Sequence, residues 1–201
     1  MAPKLALADI ADLRAYERER DDFRTRVIAL KRRRRVHVGP VVTMVFENAD
    51  TIRFQIQEMA RAERMLTDAA IQGELDTYNP LIPDPGELSA TLFIELTSES
   101  ELREWLPKLV GIERSVELRI GDEPGAVVLR AEPDHAHAAQ LTRDEITASV
   151  HYIRWSFTPQ EIELAAAGPL ILGIDHPDYQ HQTRLGDETC QELLADLRGT
   201  S

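Results

Sequence analysis

Among its 201 residues the chain has a single cysteine, Cys190. One thiol excludes an intrachain disulfide, a thiolate zinc knuckle and an iron–sulfur cluster held by protein ligands alone. Long apolar runs are missing too: none approaches the roughly 18 to 20 residues needed to span a bilayer. A secretory leader is not expected either, because Leu5-Ala6-Leu7-Ala8 meets Asp9 and Asp12 before an adequate apolar region develops. These absences lead to the expectation of a cytoplasmic protein with no membrane partner. Neither GxGxxG nor GxxxxGK[ST] occurs, which leaves a Rossmann or P-loop nucleotide site without support. HExxH is absent, as are the paired Glu-x-x-His motifs of di-iron bundles. No internal repeat appears, and the only low-complexity tract is a run of arginines.

What the chain does have is a break in charge. Residues 1–35 hold 11 of the 23 Lys and Arg, including Lys31, Arg32, Arg33, Arg34 and Arg35 in succession, against six acids. The remainder is strongly acidic, and the whole chain carries −12. The reading is an N-terminal basic helical arm, 1–35, on an acidic body, 36–201, with the arm packed on a single domain. Hydrophobic residues at 43% suffice for a core, and 29% charged residues leave a solvated surface. Such an arm needs a partner: acids of its own body, a second copy of the chain, another protein, or a polyanion. Bulk acidity argues against general nucleic-acid binding without excluding a local contact through the arm. Five consecutive charges advance by about 100° each on a helix, so only Lys31, Arg34 and Arg35 lie near one another on a face.

Periodicity and turn chemistry predict an α+β protein with a mixed, largely antiparallel sheet and helices packed on it. Asp9 to Arg20 reads as one helix and the stretch after Asp21-Asp22 as a second, with Phe23, Val27 and Leu30 on one face. Val41–Phe46 and Thr51–Gln57 read as a hairpin around Glu47-Asn48-Ala49-Asp50, followed by a helix to Leu66 and another capped by Thr67. Three prolines and a glycine in 78–86 require an extended loop. Strands are expected at 88–96, 115–120, 126–131, 147–157 and 170–174. Helices opened by the capping boxes Ser98–Glu101 and Thr158–Glu161 are expected, with a last helix at 188–198. The order leaves room for a split βαβ unit.

Long stretches resemble a family of bacterial proteins of about this length known as a domain of unknown function. They include Tyr16-Glu17-Arg18, 26–34, Phe46-Glu47-Asn48, 54–59, 85–93 and Gly173-Ile174-Asp175-His176-Pro177. The resemblance covers almost the whole chain and brings no active site to carry over. It implies a redox or oxidative-stress setting, since relatives are encoded near rubrerythrin-like and iron–sulfur proteins. Relatives tend to have proline where this chain has Asp21, which implies two N-terminal helices.

Several candidate sites follow. Lys31 to Arg35 offer phosphate or carboxylate contacts. Asp175, His176, Asp178 and His181 place two imidazoles and two carboxylates within seven residues, a set able to ligate Zn or Fe or to do acid–base work; an ordinary polar loop is the alternative. His135 and His137 could add ligands. Gln55 and Gln57, beside Glu58, Arg61, Glu63 and Arg64, offer a polar recognition face or a solvent face with helical ion pairs. His151 and Arg154, near Tyr152 and Trp155, could form a buried acid–base pair or an ordinary strand. Cys190 lacks a basic neighbour in sequence to activate it. No cofactor is expected beyond a possible metal. The function expected is that of a protein-interaction or accessory protein. The alternatives are a metal-dependent or small-molecule enzyme at 175–181 and a polyanion binder through 31–35.

Overall fold

A computed structural model describes residues 3–122, 124–134 and 146–200. The fold is α+β, built on two antiparallel sheets. Its first long element is one helix, α1 (Leu13–Arg34), capped by Asp12, whose side chain accepts the Ala15 amide. The expected break at Asp21-Asp22 does not occur. Tyr16, Phe23, Val27 and Arg34 are all buried on one continuous face, and interrupting the helix would turn its two halves out of register.

The chain turns from Arg34 directly into β1 (Arg35–Val38), then β2 (Val42–Phe46). The hairpin is formed by these two strands, and Thr51–Gln57 lies instead in a helix, α2 (Ala49–Ala62). Asn48 caps α2 by accepting the Thr51 amide at 3.0 Å, while the Thr51 hydroxyl accepts the Asn48 amide. Burial of Ile52, Ile56 and Ala60 at steps of four residues then decides helix over strand. Thr67 caps α3 (Asp68–Tyr78), and Ser98 and Glu101 form the expected box at α4 (Glu99–Lys108).

Strand β3 (Glu87–Ile94) is followed by β4 (Val116–Ile120), β5 (Val127–Arg130), the short β6 (Glu132–Pro133) and β7 (Val150–Ser156). Then come α5 (Pro159–Ala167), β8 (Leu170–His176), β9 (Tyr179–Arg184) and α6 (Asp187–Arg198). One sheet runs β1-β2-β3-β7-β6 and the other β5-β4-β8-β9. Every pairing among the described residues is antiparallel, in two sheets where one mixed, largely antiparallel sheet is expected. The helix-linked strands β3 and β4, and β7 and β8, lie in different sheets, so they form no split βαβ unit. The expected loop after Ile174 is the β8–β9 hairpin.

Strand alternation gives the first sheet two apolar faces. Met44, Phe46, Leu92 and Trp155 share the main core with Leu118, Leu172 and Ile174 of the second sheet. The opposite face, carrying Tyr152, meets Ile52, Ile56, Leu75 and Leu81 from the α2–α3 layer. Helix α1 packs beside α2 through Tyr16, Phe23 and Val27, against Phe54. No helix among the described residues is long and apolar enough to cross a membrane.

Candidate functional site

The basic run is largely paired within the chain. Arg34 is fully buried and forms a two-pronged bond to Asp196 of α6, at 2.6 and 2.9 Å, with Glu192 close to the same guanidinium. Arg33 meets Glu192 at 2.6 Å and Arg35 meets Glu95 at 3.0 Å. The Lys31 ammonium lies 5.7 Å from the centroid of the Phe54 ring. Three of the five cations are therefore engaged by acids of the body, and Arg34 is a structural anchor rather than a surface charge.

The chemically dense segment 175–181 is divided by its own hairpin. His176 is buried; its Nε2 donates to the Val110 carbonyl at 3.1 Å and its Nδ1 accepts the Asp178 amide at 3.2 Å. Both ring nitrogens are thus engaged inside the fold. The His181 ring is exposed and packs on Tyr179, centroids 4.5 Å apart, while Asp175 accepts a bond from Gln180 on the opposite face of the sheet. Asp178 sits in the exposed turn. The Tyr179 phenol donates to the Val38 carbonyl at 2.7 Å and accepts the amides of Val41 and Val42. It thus closes the β1–β2 turn from the neighbouring sheet. Gly39 in that turn has φ of +75°, and a Cβ there would fall 2.5 Å from both the His181 ring and the Tyr179 hydroxyl. Among the described residues no three His, Cys, Asp or Glu side chains converge to hold a metal. His135 and His137 lie outside the described residues.

The glutamines part company once their segment is helical. Gln57 is buried and pairs through both amide atoms with the Ala11 backbone, at 3.0 and 2.8 Å. Glu58 binds Arg20 through both oxygens and accepts the Tyr16 hydroxyl at 2.6 Å, joining α1 to α2; Arg20 first, then Tyr16, holds its carboxyl below the usual range. Arg61 pairs with Glu17. The polar face expected around Gln55 is therefore mostly a seam between helices.

Gln55 itself lines a cavity of about 200 Å³ between the α1–α3 layer and the first sheet. Glu47 stands in its wall, directly after β2, and is only 6% exposed. Its oxygens accept the hydroxyls of Thr51, at 2.5 Å, and Thr91, at 2.6 Å. No Lys, Arg or His among the described residues forms an ion pair with it. Tyr78, from the end of α3, and Tyr152, from β7, also line the space, with Lys31 contributed by α1. Burial, with Tyr78 and Glu47 nearby, pushes the Tyr152 phenol up to about 12. Burial raises Tyr78 too, against a hydrogen bond from Gln55. Both phenols are neutral near pH 7. Ile52, Leu81, Phe93 and Val150 complete the apolar walls.

Residues 4–197 match a family described as a protein of unknown function, DUF3501. The chain belongs to that family. It is also similar to a solved structure from Burkholderia pseudomallei, described as a novel protein of unknown function, at 38% identity and a TM-score of 0.87. The similarity covers 97% of this chain and 100% of that one. No curated protein matches.

Two further groups of this family member bear on chemistry. His151 is buried, but its carboxylate neighbour is Glu113, Nδ1 lying 4.0 Å from Oε2; Arg154 instead binds Glu87 at 2.8 Å. The His151 Nε2 is 2.9 Å from the Ala148 carbonyl, so it carries the proton and donates there. The bare Nδ1 then faces a Glu113 oxygen that has no hydrogen-bond partner among the described residues. Burial pushes this imidazole down, against the pull of Glu113. The Cys190 thiol is raised by burial and then by Asp187, which leaves it a poor nucleophile.

Sequence reasoning missed Glu47, Tyr78 and Tyr152 as a group. They come from the end of β2, from α3 and from β7, and only the packing of those elements brings them together. A usable local signal existed in Asn48 and Thr51, whose cap spacing starts the helix that carries Thr51 and Gln55 to Glu47.

Proposed function

We propose that this protein is an accessory protein that binds a small ligand in the Glu47 cavity, serving as a sensor or carrier rather than as a catalyst. The observation that carries the reading is the buried Glu47 carboxylate, bonded to two threonine hydroxyls and facing a cavity without a paired cation among the described residues. Burying a carboxylate is costly unless it is paired, and a ligand able to satisfy it would recover part of that cost. Apolar walls with a few convergent polar groups are the usual make-up of a small-molecule site. The accessory role and a cytoplasmic location are expectations from the sequence, and a redox or oxidative-stress setting is what the family resemblance implies.

The alternatives have less support. The Arg33, Arg34 and Arg35 pairs occupy the groups a polyanion would need, and His176 spends both ring nitrogens inside the fold. The test is a thermal-shift screen of small polar metabolites against the parent and Val150→Phe, which enlarges a side chain of the lining. Ligands that raise the melting temperature of the parent alone support the reading. If every stabilising compound acts equally on Val150→Phe, the cavity is not the site.

A further inference from the structure

The geometry points to a small primary amine, protonated at neutral pH and carrying a compact apolar body, as the ligand class of the Glu47 cavity. This rests on the reading of that cavity as a ligand site and adds the chemistry it selects.

Charge is the first argument. Glu47 is anionic when ionised and therefore an acceptor only, and its two hydroxyl donors use one lone pair on each oxygen. Each oxygen can accept one bond more. An ammonium group supplies up to three donors and a full positive charge, so it suits this carboxylate better than a hydroxyl or a second carboxylate does. Lys31 does not already play this role: its ammonium forms no ion pair with Glu47 and is directed to the Phe54 ring. The net charge of −12 also favours the approach of cations over anions.

The walls provide the second argument. Tyr78 and Tyr152 stand in the wall as neutral phenols, and an aromatic ring attracts a cation to its face. Ile52, Leu81, Phe93 and Val150 offer apolar surface, which suits a hydrocarbon body. The third is size. A space of about 200 Å³ suits a small molecule such as an amine with a short chain or one ring.

The experiment titrates full-length protein at neutral pH with benzylamine, benzyl alcohol and benzoate, three probes that share one ring and differ in the polar group. Calorimetry is run on the parent, Glu47→Gln and Val150→Phe. The expected result is benzylamine binding at least tenfold tighter than benzyl alcohol, no benzoate binding, a loss of tenfold or more in Glu47→Gln, and no binding to Val150→Phe. Circular dichroism establishes that each variant is folded; should Glu47→Gln not fold, Val150→Phe and the amine-to-alcohol ratio decide. Benzyl alcohol or benzoate binding as well as the amine, and lost only in Val150→Phe, would overturn the amine assignment and leave the cavity reading standing. Amine binding undiminished in both variants, or no binding of any probe, would overturn both.

Discussion

Arg34 and Arg35 are neighbours in sequence with opposite situations, and their contrast shows why a charge run cannot be read as one feature. Arg34 is sealed against Asp196 and Glu192, whereas Arg35 and Glu95 remain substantially solvent-exposed. Removing Arg34 would leave the buried Asp196 without its cation, so Arg34→Ala is expected to cost about 3–5 kcal/mol in urea denaturation. Arg35→Ala should cost no more than about 1 kcal/mol, shrinking further in high salt. Lysine at 34 should not rescue, because a point charge cannot reproduce the two-pronged geometry. Equal, small effects at both positions would contradict this account of the arm.

His151 adds a prediction in pH. Its folded value lies below the ordinary imidazole value of about 6.5, so the unfolded chain binds the proton more readily. This group's contribution is fully present above about 6.5 and is lost as pH falls from there towards the folded value, by at most about 1.4 kcal/mol per pH unit. Glu113 opposes the loss by attracting the charged ring, and the neighbouring Arg114, 3.6 Å from Glu113, weakens that attraction. Stability measured at pH 7.5, 6.5 and 5.5 should therefore fall more steeply in the parent than in His151→Gln. Identical slopes would remove His151 as the cause.

At the scale of elements, capping chemistry was the part of the fold most readable from sequence. Ser98–Glu101 and Thr158–Glu161 both form reciprocal boxes, and Thr67 caps α3. The misreading fell on α2, because Ile52, Phe54 and Ile56 also alternate as a strand would, and period 2 competes with period 3.6 over so short a window. Tertiary packing decides it, by burying Ile56 and Gln57 side by side, which a strand with one buried face cannot do. Strand β9 was hidden for another reason: Gln180, His181 and Gln182 are exposed, so its sequence has no apolar alternation. Asn48→Ala tests the origin of α2, and loss of this cap should cost about 0.5–2 kcal/mol in chemical denaturation. An unchanged midpoint would mean that packing alone starts the helix.

For the whole molecule, two antiparallel sheets share one core while a helical layer covers the outer face of the first. The density of functional groups at 175–181, visible in the sequence, is spent largely on architecture: Tyr179 ties one sheet to a turn of the other, and His176 anchors its strand end to Val110. The candidate site was illegible because Glu47, Tyr78, Thr91 and Tyr152 meet only after the helical layer closes on the sheet. Long-range pairing, and no local motif, creates it. The measurement that tests this most directly is nitrogen–proton shift mapping of the labelled full-length protein during titration with benzylamine. The account predicts saturable shifts concentrated at residues 47, 51, 55, 78, 91 and 152, and their disappearance in Val150→Phe. Shifts confined to 175–181 or 31–35, or scattered over the acidic surface without saturation, would contradict it.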